Sequence, residues 1–585
     1  MIEKIMKAVK RGNKKRSRNI TIDAVIGFLL SCTAVMGADN YLWIRENSGA
    51  IEFINQETTS SDGSDGTWSE ENPYEDAGNI WDTVTKTYTN NITLSSSGAN
   101  GADKNGGLSY GLRLSGNSID VNFVNNASIT GIMTSSGNGY GIYNSAKMGY
   151  IKNTGIINGT GDIKGYGIYN YTSAKMENIE NKGVISGTGS SYGYGIYNYS
   201  GEIRKIENIG IISSTNSNYS CGIYNDSGEI GNITNIGIIS GIGFNFGDGI
   251  YNELAKIGNI ENTGIINGSS SSSGHGINNK AEIRDIKNTG VVSGTGDDSH
   301  VDVSGIANGG IIGDITNIGI INGTNSSSSI DVSGIYNSGT MENIINTGII
   351  NGTSSSSGNG SGINNYSYTQ NFGNITNTGI INGVGSSSGN GIYNRSPAKM
   401  KNITNIGIIN GSGYGIGNYS AEIKNITNTG VIYGESMAIF NANGTIGTVN
   451  NYGILANGKD QDVYYKITLS DNYGLIIQNG SKIANEDTVE EVVEDKEIKE
   501  YNDDGTVKSA RKMTIKNKKV TDGSEWFTGN EKDVILNALK DTYKVTREND
   551  NVTGSIINAY GTAIVFEGEN KQLTLSGTIV NGGID

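Results

Sequence analysis

Residues 374–383 read Asn374-Ile375-Thr376-Asn377-Thr378-Gly379-Ile380-Ile381-Asn382-Gly383. The pattern has a period of two. Ile375, Asn377, Gly379, Ile381 and Gly383 fall on one side, and Thr376, Thr378, Ile380 and Asn382 on the other. Successive side chains of a strand point to opposite faces, whereas a helix repeats every 3.6 residues, so this stretch predicts strand. The same block recurs along the chain, each time preceded by a tetrad of the form Gly-Ile-Tyr-Asn and followed by a Ser/Gly-rich stretch of variable length, such as 354–358.

The tetrads begin at Gly141, Gly167, Gly195, Gly222, Gly249, Gly276, Gly305, Gly334, Gly362, Gly391 and Gly415. Ten steps cover 274 residues, a period of about 27. The second tetrad residue is Ile in every copy and the fourth is Asn in every copy. The third is Tyr393 in one copy but Asn278, Ala307, Asn364 or Gly417 in others. A slot restricted to Ile reads as core, and a slot that accepts Tyr, Asn, Ala and Gly reads as outward. Ile and Asn are thereby expected on one side of the tetrad strand, and Gly and Tyr on the other.

One repeat cannot bury its Ile side alone, but stacked repeats bury it continuously and pair each strand with the coils above and below. The expected fold is all-β: a right-handed parallel β-helix (β-solenoid) of about eleven rungs of about 27 residues, roughly 50 Å long at about 4.8 Å per rung. Ile142, Ile168, Ile196, Ile223 and Ile392 are expected in its core. Asn144, Asn170, Asn198, Asn225 and Asn394 are expected to form an axial ladder of side-chain amides. Tyr143, Tyr169, Tyr197, Tyr224 and Tyr251 would then stand in an outward column on five successive rungs, a candidate contact strip for carbohydrate or protein. The plainer reading is a stacked aromatic ladder that stiffens the sheet.

Composition agrees with many short strands joined by small-residue turns. Of 585 residues 87 are Gly and 2 are Pro, with no three-residue period, which excludes collagen. A net charge of −15 disfavours nucleic acid and simple docking on anionic lipid, because both require clustered Lys and Arg.

The first 38 residues have the order of an export signal. Lys4, Lys7, Lys10, Arg11, Lys14, Lys15, Arg16 and Arg18 precede an apolar run from Ala24 to Met36, and small residues Gly37 and Ala38 follow. The alternative is lipoprotein processing at Cys32, after Leu29-Leu30-Ser31. Removal of the signal segment with Cys32 leaves Cys221 as the one cysteine of the mature chain, so stability is expected from stacking rather than from a disulfide.

The extended basic signal, a Trp/Tyr-containing leader region and the Gly-Ile-x-Asn and Asn-x-Gly-x-Ile-x-Gly rungs together resemble the passenger domains of Gram-negative autotransporters. That resemblance implies an exported, surface-exposed β-helix, delivered by an outer-membrane β-barrel translocator and acting as an adhesin or structural stalk. Five regions are expected: a signal at 1–38, an N-terminal cap and first irregular rungs at 39–130, a repetitive β-helix at 131–485, a charged insertion at 486–550 and further β-helix strands at 551–585. The cap holds Trp43, Trp68 and Trp81. The insertion holds an acidic run (Glu490, Glu491, Glu494, Asp495, Glu497, Glu500), a basic run (Lys508, Arg511, Lys512, Lys516, Lys518, Lys519) and a short helix over Asp533 to Lys540. No barrel-like series of strands follows, so the expectation is a passenger fragment or a barrel on a separate chain.

Residues suited to catalysis are sparse. The two histidines, His275 and His300, lie in Gly/Ser/Asp-rich stretches, and no His-Glu-x-x-His pair occurs. Gly-x-Ser-x-Gly strings at 107–111 and 189–193 are what so much Ser and Gly supplies by chance, and they lack a strand-turn-helix setting. Asp297-Asp298 and Asp503-Asp504 read as solvated loop carboxylates. The chain is therefore expected not to be an enzyme and to need no cofactor or metal. A β-helical enzyme acting on polysaccharide is the second reading, and a self-associating aggregation protein the third. Partners expected are the translocator, a host glycan or matrix protein, or further copies of the chain.

Overall fold

The structure, a computed structural model, describes residues 40–451 apart from 41, 56–65, 98–107, 117–119, 135, 297–302, 326–330, 356–357, 368–371 and 387, together with the strands between 454 and 584. The export signal, His300, both Asp pairs and the segment 533–540 lie outside the described residues.

Among the described residues every regular element is a strand. The chain winds as a parallel β-solenoid with about 28 residues per coil. One coil shows the plan. Lys164–Asn170 holds the tetrad and forms the first face, Lys175–Asn181 the second, and Val184–Gly189 the third. Each strand pairs in parallel, in register, with its counterpart one coil on, as in Ile168↔Ile196, Ile179↔Ile206 and Ile185↔Ile212. The eleven tetrads are continued by degenerate copies at both ends, Gly111-Leu112-Arg113-Leu114 and Ala438-Ile439-Phe440-Asn441.

The core repeats with the coil. Ile168, Met176, Ile179 and Ile185 point inward from the three faces, and each is at most 1% exposed. Burying a side chain of this size contributes about 1.5–3 kcal/mol, so the continuous Ile column is the main driving force for stacking.

The block Asn374–Gly383 proves to be two strands, Phe372–Asn377 and Ile380–Val384, joined by a corner at Thr378-Gly379. A Cβ on Gly379 would lie 2.1 Å from the Gly348 carbonyl oxygen, so the corner has no room for a side chain. The tetrad also departs from simple alternation. Its pairing skips the glycine, as in Tyr166↔Tyr194 followed by Ile168↔Ile196. A Cβ on Gly167 would meet the Ile185 side chain at 2.7 Å. The tetrad glycine thus faces inward with Ile rather than outward with Tyr, a bulge-like step that resets the parity of every residue before it.

Solenoid pairing begins earlier than the first tetrad, at Thr87–Asn90, which pairs in parallel with Asn122–Asn125. Ahead of it, Leu42–Asn47 lies parallel to Leu108–Ser115, and Ala50–Ile54 folds back antiparallel on Leu42–Asn47. This hairpin covers the strand edges that an open solenoid end would leave unpaired. The three tryptophans pack around it. Trp43 meets Trp68 edge-on at 5.1 Å, and Trp81 meets Phe53 at 5.3 Å.

In the 486–550 region the acidic and basic runs are the two arms of an antiparallel hairpin, Val489–Tyr501 and Val507–Val520. The register sets Glu490 opposite Lys519, Glu491 opposite Lys518 and Glu497 opposite Lys512.

Candidate functional site: an aromatic strip on the first face

Side chains that point outward from the first face are packed over more than five coils into aromatic columns. Tyr143, Tyr169, Tyr197, Tyr224 and Tyr251 form one of them. Ring centroids are 5.4, 5.2, 5.0 and 5.0 Å apart along it, and the first three pairs are within 14° of parallel. All five rings are half-buried. The axial spacing is the strand spacing, so neighbouring rings lie face to face and show solvent their edges and hydroxyls.

A second column lies beside the first: Tyr110, Tyr140, Tyr166 and Tyr194, at 5.2, 4.9 and 5.5 Å. These rings point away from the Ile core and yet are nearly buried, because the first column leans over them edge-on, as Tyr169 does over Tyr166 at 4.9 Å. Strict alternation would put Tyr166 on the same side as Ile168. The step at Gly167 sends it outward. The recurring Gly-Tyr-Gly-Ile-Tyr-Asn at 139–144, 165–170 and 193–198 is the sequence signal for the pair of columns. Shorter stacks flank them: Tyr171 on Tyr199, and Tyr192 on Tyr219 on Phe246.

Cations close both ends of the strip. The Arg113 guanidinium lies 3.8 Å from the Trp43 ring centroid and 5.2 Å from that of Tyr110, and the Lys280 ammonium lies 5.0 Å from that of Tyr251. Carboxylates line one edge. The Tyr197 hydroxyl donates to Asp226 Oδ2 at 2.8 Å, and the Tyr224 hydroxyl donates to Glu253. Burial pushes the Tyr143 phenol up to about 12, so these rings keep their protons at physiological pH.

Past Tyr194 the second column turns polar: Cys221, Asp248, His275 and Ser304 on successive coils, all nearly buried. Asp248 and His275 each accept from the next coil's backbone. The His275 N–H donates to Asp248 Oδ1 at 3.0 Å, and the Ser304 N–H donates to His275 Nδ1 at 3.1 Å. Nδ1 is therefore the acceptor nitrogen, which leaves the proton on Nε2, 3.0 Å from Ser273 Oγ. Burial raises the Asp248 carboxyl to about 7 and lowers the His275 imidazole to about 4. It also raises the Cys221 thiol, which stays protonated and unreactive. Among the described residues no three His, Cys, Asp or Glu side chains are grouped to hold a metal ion.

The inward residues named from the sequence sit where a stacked core requires. Ile142, Ile168, Ile196, Ile223 and Ile392 have no exposed surface. Asn144, Asn170, Asn198, Asn225 and Asn394 belong to one ladder, which runs from Asn144 to Asn441 through eleven Nδ2–H···Oδ1 hydrogen bonds of 2.7–3.0 Å. A second ladder, from Asn90 to Asn428, holds the corner between the second and third faces through twelve such bonds of 2.7–2.9 Å. Its signal was present in the sequence, because Asn377 has the same parity as Ile375.

Comparison of the chain with protein-family models, with curated proteins and with solved structures gave no match.

Proposed function

We propose that the chain is a cell-surface passenger: a rigid β-helix that acts as an adhesin or stalk, exported from a Gram-negative cell and delivered by an outer-membrane barrel. It works by contact rather than by catalysis. The observation that supports an adhesive role is the aromatic strip. Thirteen tyrosines and a phenylalanine cluster along the first face over successive coils. Tyr offers a large, rigid contact area with a polar tip, the composition favoured at recognition surfaces. The ladders and the Ile column supply the stiffness a projecting rod requires.

The test is adhesion of cells that display residues 39–585 on a foreign barrel, against panels of glycans, matrix proteins and their own kind. Saturable binding that falls with Tyr169→Ala and Tyr197→Ala, while the β-sheet circular dichroism is kept, is the expected result. Loss of stability with adhesion unchanged would reduce the strip to a stiffening ladder. Clumping only with identical cells would favour self-association.

A further inference from the structure

The second face has a different surface at each end. On several early coils the outward pair flanking the second inward Ile is charged, as in Lys205 with Glu207, which form an ion pair, and Asp285 with Lys287, whose ammonium lies 3.9 Å from Glu261. At 374–377, 402–405 and 425–428 the strands read Asn-Ile-Thr-Asn, and the outward pair is neutral: Asn374 and Thr376, Asn402 and Thr404, Asn425 and Thr427. These two columns line a groove of 660 Å³ that runs along the axis from Asp314 to Thr448.

Its dimensions limit the occupant. Six strands line it, so five steps of about 4.8 Å give a length of about 24 Å. The lining side chains fall in two adjacent outward columns, so the groove is long and narrow and open to solvent along its length. That shape suits one extended chain lying along the axis. A peptide adding as a strand would not fill the groove, because the lining strands are paired on both sides except Thr445–Asn451, the last described strand of this sheet, and a strand added there would run across the groove rather than along it. Apolar side-chain anchors have no pocket here either, since Ile344 points into the core and Ile345 stands alone among amides and hydroxyls.

The groove offers instead a regular set of hydrogen-bonding groups. The amides bond to one another along the axis: Asn374 Nδ2 to Asn343 Oδ1 at 2.9 Å, Asn402 to Asn374 at 2.7 Å and Asn425 to Asn402 at 2.7 Å. This fixes their orientation and leaves Asn374, Asn402 and Asn425 each one further N–H and a lone pair. The hydroxyls of Thr376, Thr404 and Thr427 make no hydrogen bond to the protein. Donors and acceptors thus recur once per coil, in phase, on a face whose one charged lining residue is Asp314. Lys401 and Lys424 stand exposed beside it rather than within it.

We infer that this groove holds a single chain of a neutral, linear polysaccharide lying along the solenoid axis, its hydroxyls bonded to the Asn and Thr columns. This gives the adhesive reading a ligand class and rests on that reading, although it places the ligand away from the aromatic strip.

The experiment is titration of the full chain with linear hexasaccharides of glucose, mannose and N-acetylglucosamine, followed by calorimetry. Thr404→Val with Thr427→Val removes two hydroxyls, keeps the β-branched shape and leaves the amide ladder in place. Binding of at least one neutral hexasaccharide, about tenfold weaker in the double variant, is expected from the loss of two hydrogen bonds. Thermal unfolding is followed in parallel, and the single change Thr376→Val reads the same loss should the double variant unfold. No binding by any neutral hexasaccharide would overturn the inference. So would undiminished binding in the variants, or salt-sensitive binding of acidic glycans alone. Displayed cells that still adhere under those outcomes would leave the adhesive reading standing without this groove. Cells that never adhere would remove that reading while the calorimetry still reported on the groove.

Discussion

At the residue scale, space and charge decide which positions tolerate change. The first and third faces approach so closely that a Cβ on Gly187 would lie 2.0 Å from the Tyr194 carbonyl oxygen. The backbone itself must move, so Gly187→Ala should cost about 1–3 kcal/mol by the usual toll of overpacking. At Gly309 the nearest atoms to a new Cβ are 3.7 Å away, so Gly309→Ala should be close to neutral, and urea denaturation of the two variants checks the contrast. The buried pair Asp248 and His275 gives a second test. With the carboxyl raised to about 7 and the imidazole lowered to about 4, both are uncharged between those values. From pH 4 upward the native Asp248 binds more proton than the unfolded chain, so its contribution to stability falls as pH rises toward 7. Native His275 binds less proton than the unfolded chain, so its contribution rises between about 4 and 6.5. The two slopes oppose each other. His275→Gln should therefore give a melting temperature that falls from pH 4 to 7, and Asp248→Asn one that rises from pH 4 to 6.5. Equal slopes in both variants would contradict the assignment. Little of this was legible in the sequence. Asp248 and His275 are separated by a full coil, and only the register places one above the other.

At the scale of a single element, the Asn corner explains why strand, turn and ladder recur together. Asn235 Nδ2 donates to Asn262 Oδ1 at 2.8 Å, to the Gly237 carbonyl at 3.2 Å and to the Ile265 carbonyl at 3.0 Å, while its Oδ1 accepts from Asn208 at 2.8 Å. One side chain satisfies the turn of its own coil and the next. Asn235→Ala should cost about 2–4 kcal/mol, because several buried polar atoms are left unpaired. Asn235→Asp should cost more at neutral pH, since a buried carboxylate would face three acceptors, and it should recover part of the loss in acid, where protonation restores one donor. Urea midpoints at pH 4 and 7 check both. The strands, their inward Ile and the tetrad Asn ladder could be read from period-two alternation. The corner inside Asn374–Gly383 could not, because alternation continues smoothly across it. The step at the tetrad glycine could not either, because alternation alone cannot register an inserted residue. That single step hid the second tyrosine column, the larger part of the candidate site.

For the whole molecule the governing fact is that each coil contacts only its neighbours, so stability should be close to a sum of coil and interface contributions. The register makes this testable. Ile211 pairs with Ile238, Ile212 with Ile239 and Asn225 with Asn252, so residues 211–237 are one full coil, and joining Gly210 to Ile238 keeps every ladder in phase. The excised 27-residue segment carries one member each of the Ile columns and the two Asn ladders, and nothing that another coil lacks as a scaffold. Its removal should leave a cooperative β-solenoid with a urea m-value lower in proportion to the surface lost. Deleting about half of that segment would bring a second-face strand against a first-face strand, set Ile over outward residues and break both ladders, so it should abolish folding. The excision also tests the surface zoning. It removes Tyr219 and Tyr224 from the aromatic strip and shortens the Tyr143–Tyr251 column by one ring, while the neutral groove from Asp314 to Thr448 is untouched. If adhesion depends on the strip it should weaken, and hexasaccharide binding should not change. A chain that failed to fold after a full-coil excision would show long-range cooperativity that nearest-neighbour stacking does not supply.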